Sequence, residues 1–181
     1  MLDEDEQRGR SEQDASIKPL QEAPQPESGL KICAKAAGFI QQFDLEALST
    51  LARKNRMQIV LHRSPGDFIV AGEVIMSAHP ATTVEASITE KMRNCYTQGA
   101  NRTDAQDVLF LSDQLVEVLG RALSTGVNDP HSAMLCLNWL RAGLVAFAQR
   151  SADAPARKSD PVLYRRVTFE NMLNKSFDEM R

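Results

Sequence analysis

The sequence has no run approaching the ~18 consecutive apolar residues that a membrane-crossing helix requires. Its start, Met-Leu-Asp-Glu-Asp-Glu, has neither the basic residues nor the apolar stretch of an export signal, so the chain as given reads as a soluble polypeptide. Cysteine is scarce and unpaired. Cys33, Cys95 and Cys136 lie far apart, lack CxxC or C-x-H spacing, and do not cluster in sequence with His62, His79 or His131. This pattern argues against a disulfide framework or a structural zinc site and fits free thiols in a reducing compartment such as the cytoplasm. GxSxG, HExxH, P-loop and GxGxxG motifs are all missing, so no catalytic residue, metal ligand or cofactor is assigned. A concentrated basic face is missing too, which removes the case for nucleic-acid binding.

What is there divides unevenly. Hydrophobic residues make up 43% of the chain, enough for a core, while the mean hydropathy of -0.32 is pulled down by the ends. Residues 1–28 carry eight acidic and three basic side chains, so the formal charge of -3 splits into about -5 there and +2 elsewhere. With few large apolar groups and with Pro19, Pro24 and Pro26, this segment cannot offset the entropy of ordering, and a disordered acidic linker is expected. Residues 29–80 read as a β-rich subdomain with one short helix, and 81–181 as a helical subdomain.

In the first of these, Lys31–Ala34 and Gly38–Phe43 have the near-alternation of strands. Asp44 is an N-cap candidate for a helix Leu45–Lys54, whose Leu45, Leu48, Leu51 and Ala52 share one face. Strands are expected over Met57–His62, Phe68–Val70 and Glu73–Met76. The reversal Ser64-Pro65-Gly66-Asp67 has the fixed φ of proline and the free φ of glycine that a tight turn needs. The run Gly66-Asp67-Phe68-Ile69-Val70-Ala71-Gly72 resembles the turn and strand kink of biotinyl and lipoyl barrel-sandwich domains, which implies a hammerhead-like half barrel. Met76-Ser77-Ala78-His79-Pro80 follows without the lysine a carrier would modify, so only the backbone resemblance is used.

Beyond Pro80, Thr82 or Thr83 can cap a helix running to about Thr97, and Gly99 stops it. Thr103 with Gln106 three residues on has capping-box spacing ahead of a central helix Val108–Leu123. Gly126 stands where a left-handed residue would end that helix, and Asp129-Pro130 is a cap and first-turn start for a second. This second helix, Pro130 to about Gln149, is apolar almost all round and is expected to be buried against several neighbours. A polar loop over Ser151–Pro161, a short strand within Leu163–Phe169 and an amphipathic helix Phe169–Met180 follow. The fold class expected is α+β: a small N-terminal β-rich, hammerhead-like subdomain packed on a predominantly helical domain with two central antiparallel helices.

Several motifs resemble a family of predicted bacterial membrane proteins named for a domain of unknown function, 2254. They are Gly99-x-x-Arg102-Thr103-x-x-Gln106-Asp107, Gln114-Leu115-Val116, and Arg121-Ala122-Leu123-Ser124-x-Gly126-Val127-Asn128-Asp129-Pro130-x-x-Ala133. Gly38-Phe39-Ile40-Gln41 with Asp44, Pro65-Gly66-Asp67-Phe68 and Phe177-Asp178-x-x-Arg181 match as well, so the resemblance spans roughly residues 37–181. Thr125 replaces a usual proline, and His131-Ser132 stands where threonine is common. Members look like bacterial inner-membrane proteins with transmembrane helices ahead of this part. The resemblance therefore implies a soluble domain cut from a longer chain, with the acidic segment as the tether to missing N-terminal helices. It brings no cofactor and no catalytic residue with it.

The polar candidates for a ligand site or interface are Arg102, Thr103, Asp107, Asn128, Asp129 and His131. Structural turn roles fall to Gly66, Asp67, Gly72, Gly126 and Pro130. A central helix of about 16 residues spans ~24 Å, which separates the first three candidates from the last three unless they meet across a homo-oligomer interface. Capping and ion pairing already account for Thr103, Gln106 and Asp129. Ser124 or Ser132 beside His131 imitates a dyad but has no third group or oxyanion site. The leading expectation is a non-catalytic domain for subunit assembly or ligand sensing. Regulation of a channel or transporter, and a hydrolase-like enzyme, are the alternatives.

Overall fold

The computed structural model of the protein describes residues 29–80, 86–153 and 160–177, with side chains to 150 in the second stretch. The acidic segment 1–28, the Thr82 or Thr83 helix start, most of the Ser151–Pro161 loop and the Asp178–Arg181 end lie outside the described residues.

The fold is α+β. In chain order its elements are β1 (Leu30–Cys33), β2 (Gly38–Phe43), α1 (Leu45–Lys54), β3 (Gln58–Leu61), β4 (Phe68–Ile69), β5 (Val74–His79) and α2 (Ala86–Arg93). They continue with β6 (Tyr96–Gly99), α3 (Val108–Ala122), α4 (Pro130–Asp153), β7 (Val162–Leu163) and α5 (Phe169–Phe177). One sheet has the order β1-β5-β3-β7, with β3 and β7 parallel and the other pairs antiparallel. A second has the order β4-β2-β6, antiparallel throughout. β6 and β7 thus join the sheets from beyond residue 80.

Local chemistry explains several elements. Asp44 Oδ1 accepts the Ala47 amide at 2.9 Å and caps α1, which turns Leu48 and Ala52 into the core. In β2 a register shift between Ile40 and Gln42 breaks the period of two, so Ile40 and Phe43, three residues apart, both face inward. Ile32, Ile40, Leu48, Ile59, Ile69, Ile75, Met76 and Met92 form one fully enclosed apolar cluster across both sheets, α1 and α2. A second cluster, Val116, Leu119, Ala122, Ala133, Cys136 and Leu140, joins α3 to α4. Ala122 and Ala133 lie at the loop end and Val116 and Leu140 farther along, as an antiparallel hairpin requires. α5 packs on both of these helices.

Four expectations are corrected. The helix drawn to Thr97 ends at Arg93, because Tyr96–Gly99 takes the open edge of β2 as a strand. Thr103 does not cap α3: Asp107 does, its Oδ1 accepting the Phe110 amide at 3.0 Å. The left-handed residue between α3 and α4 is Asn128 (φ 45), whereas Gly126 is not in that region. Asparagine tolerates this conformation, and it lets the Asp129 amide reach back to the Ala122 carbonyl at 2.8 Å. Finally, α4 is not buried all round. Met134, Leu135, Trp139 and Val145 are 50–61% exposed.

Candidate functional site

The loop entering α3 builds a charged node from local rules. Asp107 must be near the helix start to cap it, and its second oxygen is then free for a cation. Arg102, five residues earlier, supplies one: its Nε and Nη2 donate to Asp107 Oδ2 at 2.9 and 2.7 Å, and its Nη1 donates to Asp113 Oδ2 at 2.9 Å. Asp113 stands about a turn and a half further along α3, and its other oxygen lies 3.2 Å from Lys175 Nζ of α5. The Arg102 guanidinium also sits 4.9 Å from the Phe110 ring centroid. The Asp107 side chain is 4% exposed, so this carboxylate is nearly desolvated, while Arg102 stays partly open to water at 27%. Burial pulls the Arg102 pKa down, but the hydrogen bonds it donates to Asp107 and Asp113 outweigh it and the net displacement is upward.

The Pro65-Gly66-Asp67 turn closes on this node. Gly66 has φ +92, and a Cβ there would fall inside the Asp107 carboxylate, with Arg102 Nη2 as the next neighbour. Glycine at this position is thus required twice, by backbone conformation and by contact. Asp67 Oδ2 accepts the Ser64 amide at 2.8 Å and holds the turn closed. Gln106 adds a second bridge, accepting the Phe43 amide at 3.0 Å and donating to the Phe43 carbonyl at 2.9 Å. The Gly72 turn (φ +90) is as expected for glycine but is not near the node.

Beside the node opens a cleft of about 1140 Å³ between the sheets and the helices. Arg102, Asp107 and Asp113 form part of its wall, as do Arg63, Arg150, Arg165, Arg166 and Lys175. Thr103 does not line it, and its Oγ1 is buried without a hydrogen-bond partner among the described residues.

The structure therefore brings Arg102, Asp107, Gly66 and Asp67 together. It places Asn128, Asp129 and His131 at the opposite end of α3, whose 15 residues span ~22 Å. There Asp129 Oδ1 accepts the His131 and Ser132 amides, both at 3.2 Å, and Oδ2 accepts the Ser132 hydroxyl. The hydrogen bond from that hydroxyl lowers the Asp129 pKa. Asp129 and Pro130 work as a helix start, and His131 is exposed.

Sequence reasoning missed the cleft arginines, because Arg63 and Arg165–Arg166 are a hundred residues apart and meet only through the β3–β7 pairing. It also missed a polar group inside the four-stranded sheet. Ser77 Oγ lies 2.9 Å from His62 Nε2 and 3.1 Å from His79 Nε2. Burial, then the neighbouring His79 and Arg63, lowers the His62 pKa. Ser77 is fully buried and lines no part of the cleft. Among the described residues no group of three or more His, Cys, Asp or Glu is arranged to hold a metal ion.

Comparison with known proteins adds the following. The chain is 26% identical over 152 residues to an uncharacterized protein of Mycobacterium bovis and, equally, to one of Mycobacterium tuberculosis. In each case 81% of this chain is covered and 29% of the relative, so the chain spans less than a third of the length of these relatives. No solved structure matches. Among the described residues no helix is long and apolar enough to cross a membrane. The family described as predicted membrane protein (DUF2254) matches residues 2–181, and the chain belongs to that family.

Proposed function

We propose that these residues form a non-catalytic domain of a longer bacterial inner-membrane protein, that the domain lies on the cytoplasmic side, and that it assembles subunits. The observation that carries the reading is the uncovered face of α4. Met134, Leu135, Trp139 and Val145 fall within about 140° of the helix circumference and remain half or more exposed. Leu123 and Val127, at 61% and 58% exposure, are further exposed apolar groups at the α3–α4 loop. A patch that includes a tryptophan and is left half or more exposed by the described residues matches the anchor of a protein interface. The three free cysteines favour the cytoplasmic side. Against a hydrolase, the one serine held between two histidines is shut off from the cleft.

Size-exclusion chromatography with light scattering tests this. The 181-residue chain is expected to run as a homo-oligomer, and Trp139→Asp with Leu135→Asp is expected to reduce it to a monomer with unchanged circular dichroism. A wild-type monomer at tens of micromolar would sink the assembly role.

A second reading is favoured by the cleft: a regulatory domain that senses a ligand for a channel or transporter formed by other parts of the protein. It predicts that a bound ligand changes the oligomeric mass or the stability of the hairpin.

A further inference from the structure

The parallel pairing of β3 with β7 sets Val60 beside Leu163, so the two strands end together. Arg63 lies three residues beyond Val60, and Arg166 three residues beyond Leu163. The topology thus delivers Arg63, Arg165 and Arg166 to the same end of the sheet, and that end is a wall of the cleft. Arg150, near the far end of α4, faces them from the helical side.

These cations are poorly neutralised. Asp107 and Asp113 are already engaged by Arg102 and Lys175. Arg150, Arg165 and Arg166 form no ion pair among the described residues, and Arg63 approaches Glu73 only at 3.8 Å. Arg63 Nε is buried with no acceptor among those residues. The remaining cleft carboxylates are Asp67, whose Oδ2 holds the Ser64 amide, and Asp104. Four guanidinium groups therefore stand against two exposed carboxylates of the cleft wall and the Glu73 carboxylate beside Arg63. Like charges gathered this way repel one another, and a multiply charged anion would relieve that repulsion. Tyr164 lines the same wall with the Arg166 guanidinium 5.5 Å from its ring, which fixes the direction of one cation and leaves an apolar surface beside it.

We propose that this cleft binds a phosphate-bearing ligand through Arg63, Arg150, Arg165 and Arg166. Arginine suits the chemistry, because its planar fork pairs two N–H donors with two phosphate oxygens. Arg102 is a positioning residue: bound to Asp107 and Asp113, it fixes the loop that forms the floor. The assignment deepens the regulatory reading and is independent of the assembly reading, since Met134, Leu135, Trp139 and Val145 do not line the cleft. The phosphate can belong to a soluble phosphate ester or to a phospholipid headgroup.

The test uses the 181-residue chain with inorganic pyrophosphate, followed by thermal unfolding and titration calorimetry, and separately by flotation with phosphatidylglycerol-containing vesicles against pure phosphatidylcholine vesicles. Pyrophosphate near saturation is expected to raise the melting temperature by about 3–6 °C, an effect that shrinks as salt is added. Flotation with anionic vesicles alone would identify a headgroup as the source and also supports the site. Arg165→Glu with Arg166→Glu is expected to weaken either response roughly tenfold or more, whereas Arg121→Glu, outside the cleft, is expected to leave it intact. Arg150→Ala, at an exposed helix position, provides the same reading should the double variant misfold. No response to either probe, or a response equal in the Arg150 variant and wild type, would overturn the assignment. Binding that leaves the oligomeric mass and hairpin stability unchanged would uphold the site and remove the regulatory reading alone.

Discussion

The two halves of this molecule treat apolar surface differently. Around the sheets, Ile32, Ile40, Ile59, Ile69, Ile75 and Met76 are fully enclosed, with α1 and α2 completing the cover. In the α3–α4 hairpin only one stripe is enclosed, and Met134, Leu135, Trp139 and Val145 face outward. The sheet body buries its core and leaves only Phe68 and Val70 uncovered beside β4 among its described large apolar residues, whereas the hairpin leaves an arc of α4 that includes a tryptophan exposed. Between them lies the Arg102–Asp107–Asp113 node, whose charges come from the loop before α3, from α3 and from α5, with the Gly66 turn of the sheet half packed against it.

The largest expected effect comes from cutting that node. Arg102→Ala leaves the Asp107 carboxylate buried and unpaired, and urea unfolding is expected to register a loss of about 3–5 kcal/mol. If the two halves then unfold in separate transitions, the node is what couples them. If one sharp transition survives at unchanged midpoint, it is not. Next, Ile75→Ala, in the enclosed half, is expected to cost about 2–5 kcal/mol by opening a cavity. Gly66→Ala combines an unfavourable φ with intrusion on Asp107 and is expected to cost about 1–3 kcal/mol; loss of the cleft response with the sheet core intact would place the damage at the junction.

The pH dependence is smaller and belongs to the sheet half. The unfolded chain takes up the His62 proton at about pH 6.5, and the folded chain does so only at lower pH. The contribution is therefore present in full above pH 6.5 and is lost as pH falls through the folded value. Denaturation midpoints measured from pH 7.5 to 5 are expected to decline in wild type and to flatten in His62→Asn; equal slopes would show that another group governs the fall. Smallest of all, Trp139→Asp is expected to change the unfolding energy of the separated monomer by about 0.5 kcal/mol or less, since the side chain is mostly exposed within the chain. A large loss would mean that α4 depends on this face for its own fold.

The parts of this design that were legible in the sequence are those fixed by neighbours in the chain. Asp44 with Leu45–Lys54, the strand Gly38–Phe43, the Gly66 turn and the Asp129-Pro130 start all follow from local capping and turn chemistry, and each was expected where it occurs. Thr103 and Asp107 are both acceptable cap residues, but α3 starts at Val108, which puts Asp107 at the cap position. Tyr96–Gly99 looked helical because its partner, β2, lies more than fifty residues earlier. Asn128, rather than Gly126, turns the chain because the reach of the Asp129 amide to Ala122 sets the geometry. Of the candidate site residues, Arg102 and Asp107 were found on the node, whereas the arginines of the cleft wall depend on a strand pairing that no local pattern announces.

The chain leaves the three-stranded sheet at Gly99, runs through the helical hairpin, and returns at Val162 to the four-stranded one. In mechanical terms the hairpin is a beam with its two feet set on different foundations. The cleft occupies the gap between beam and foundations, so its wall is shared by both sheets and by the beam itself.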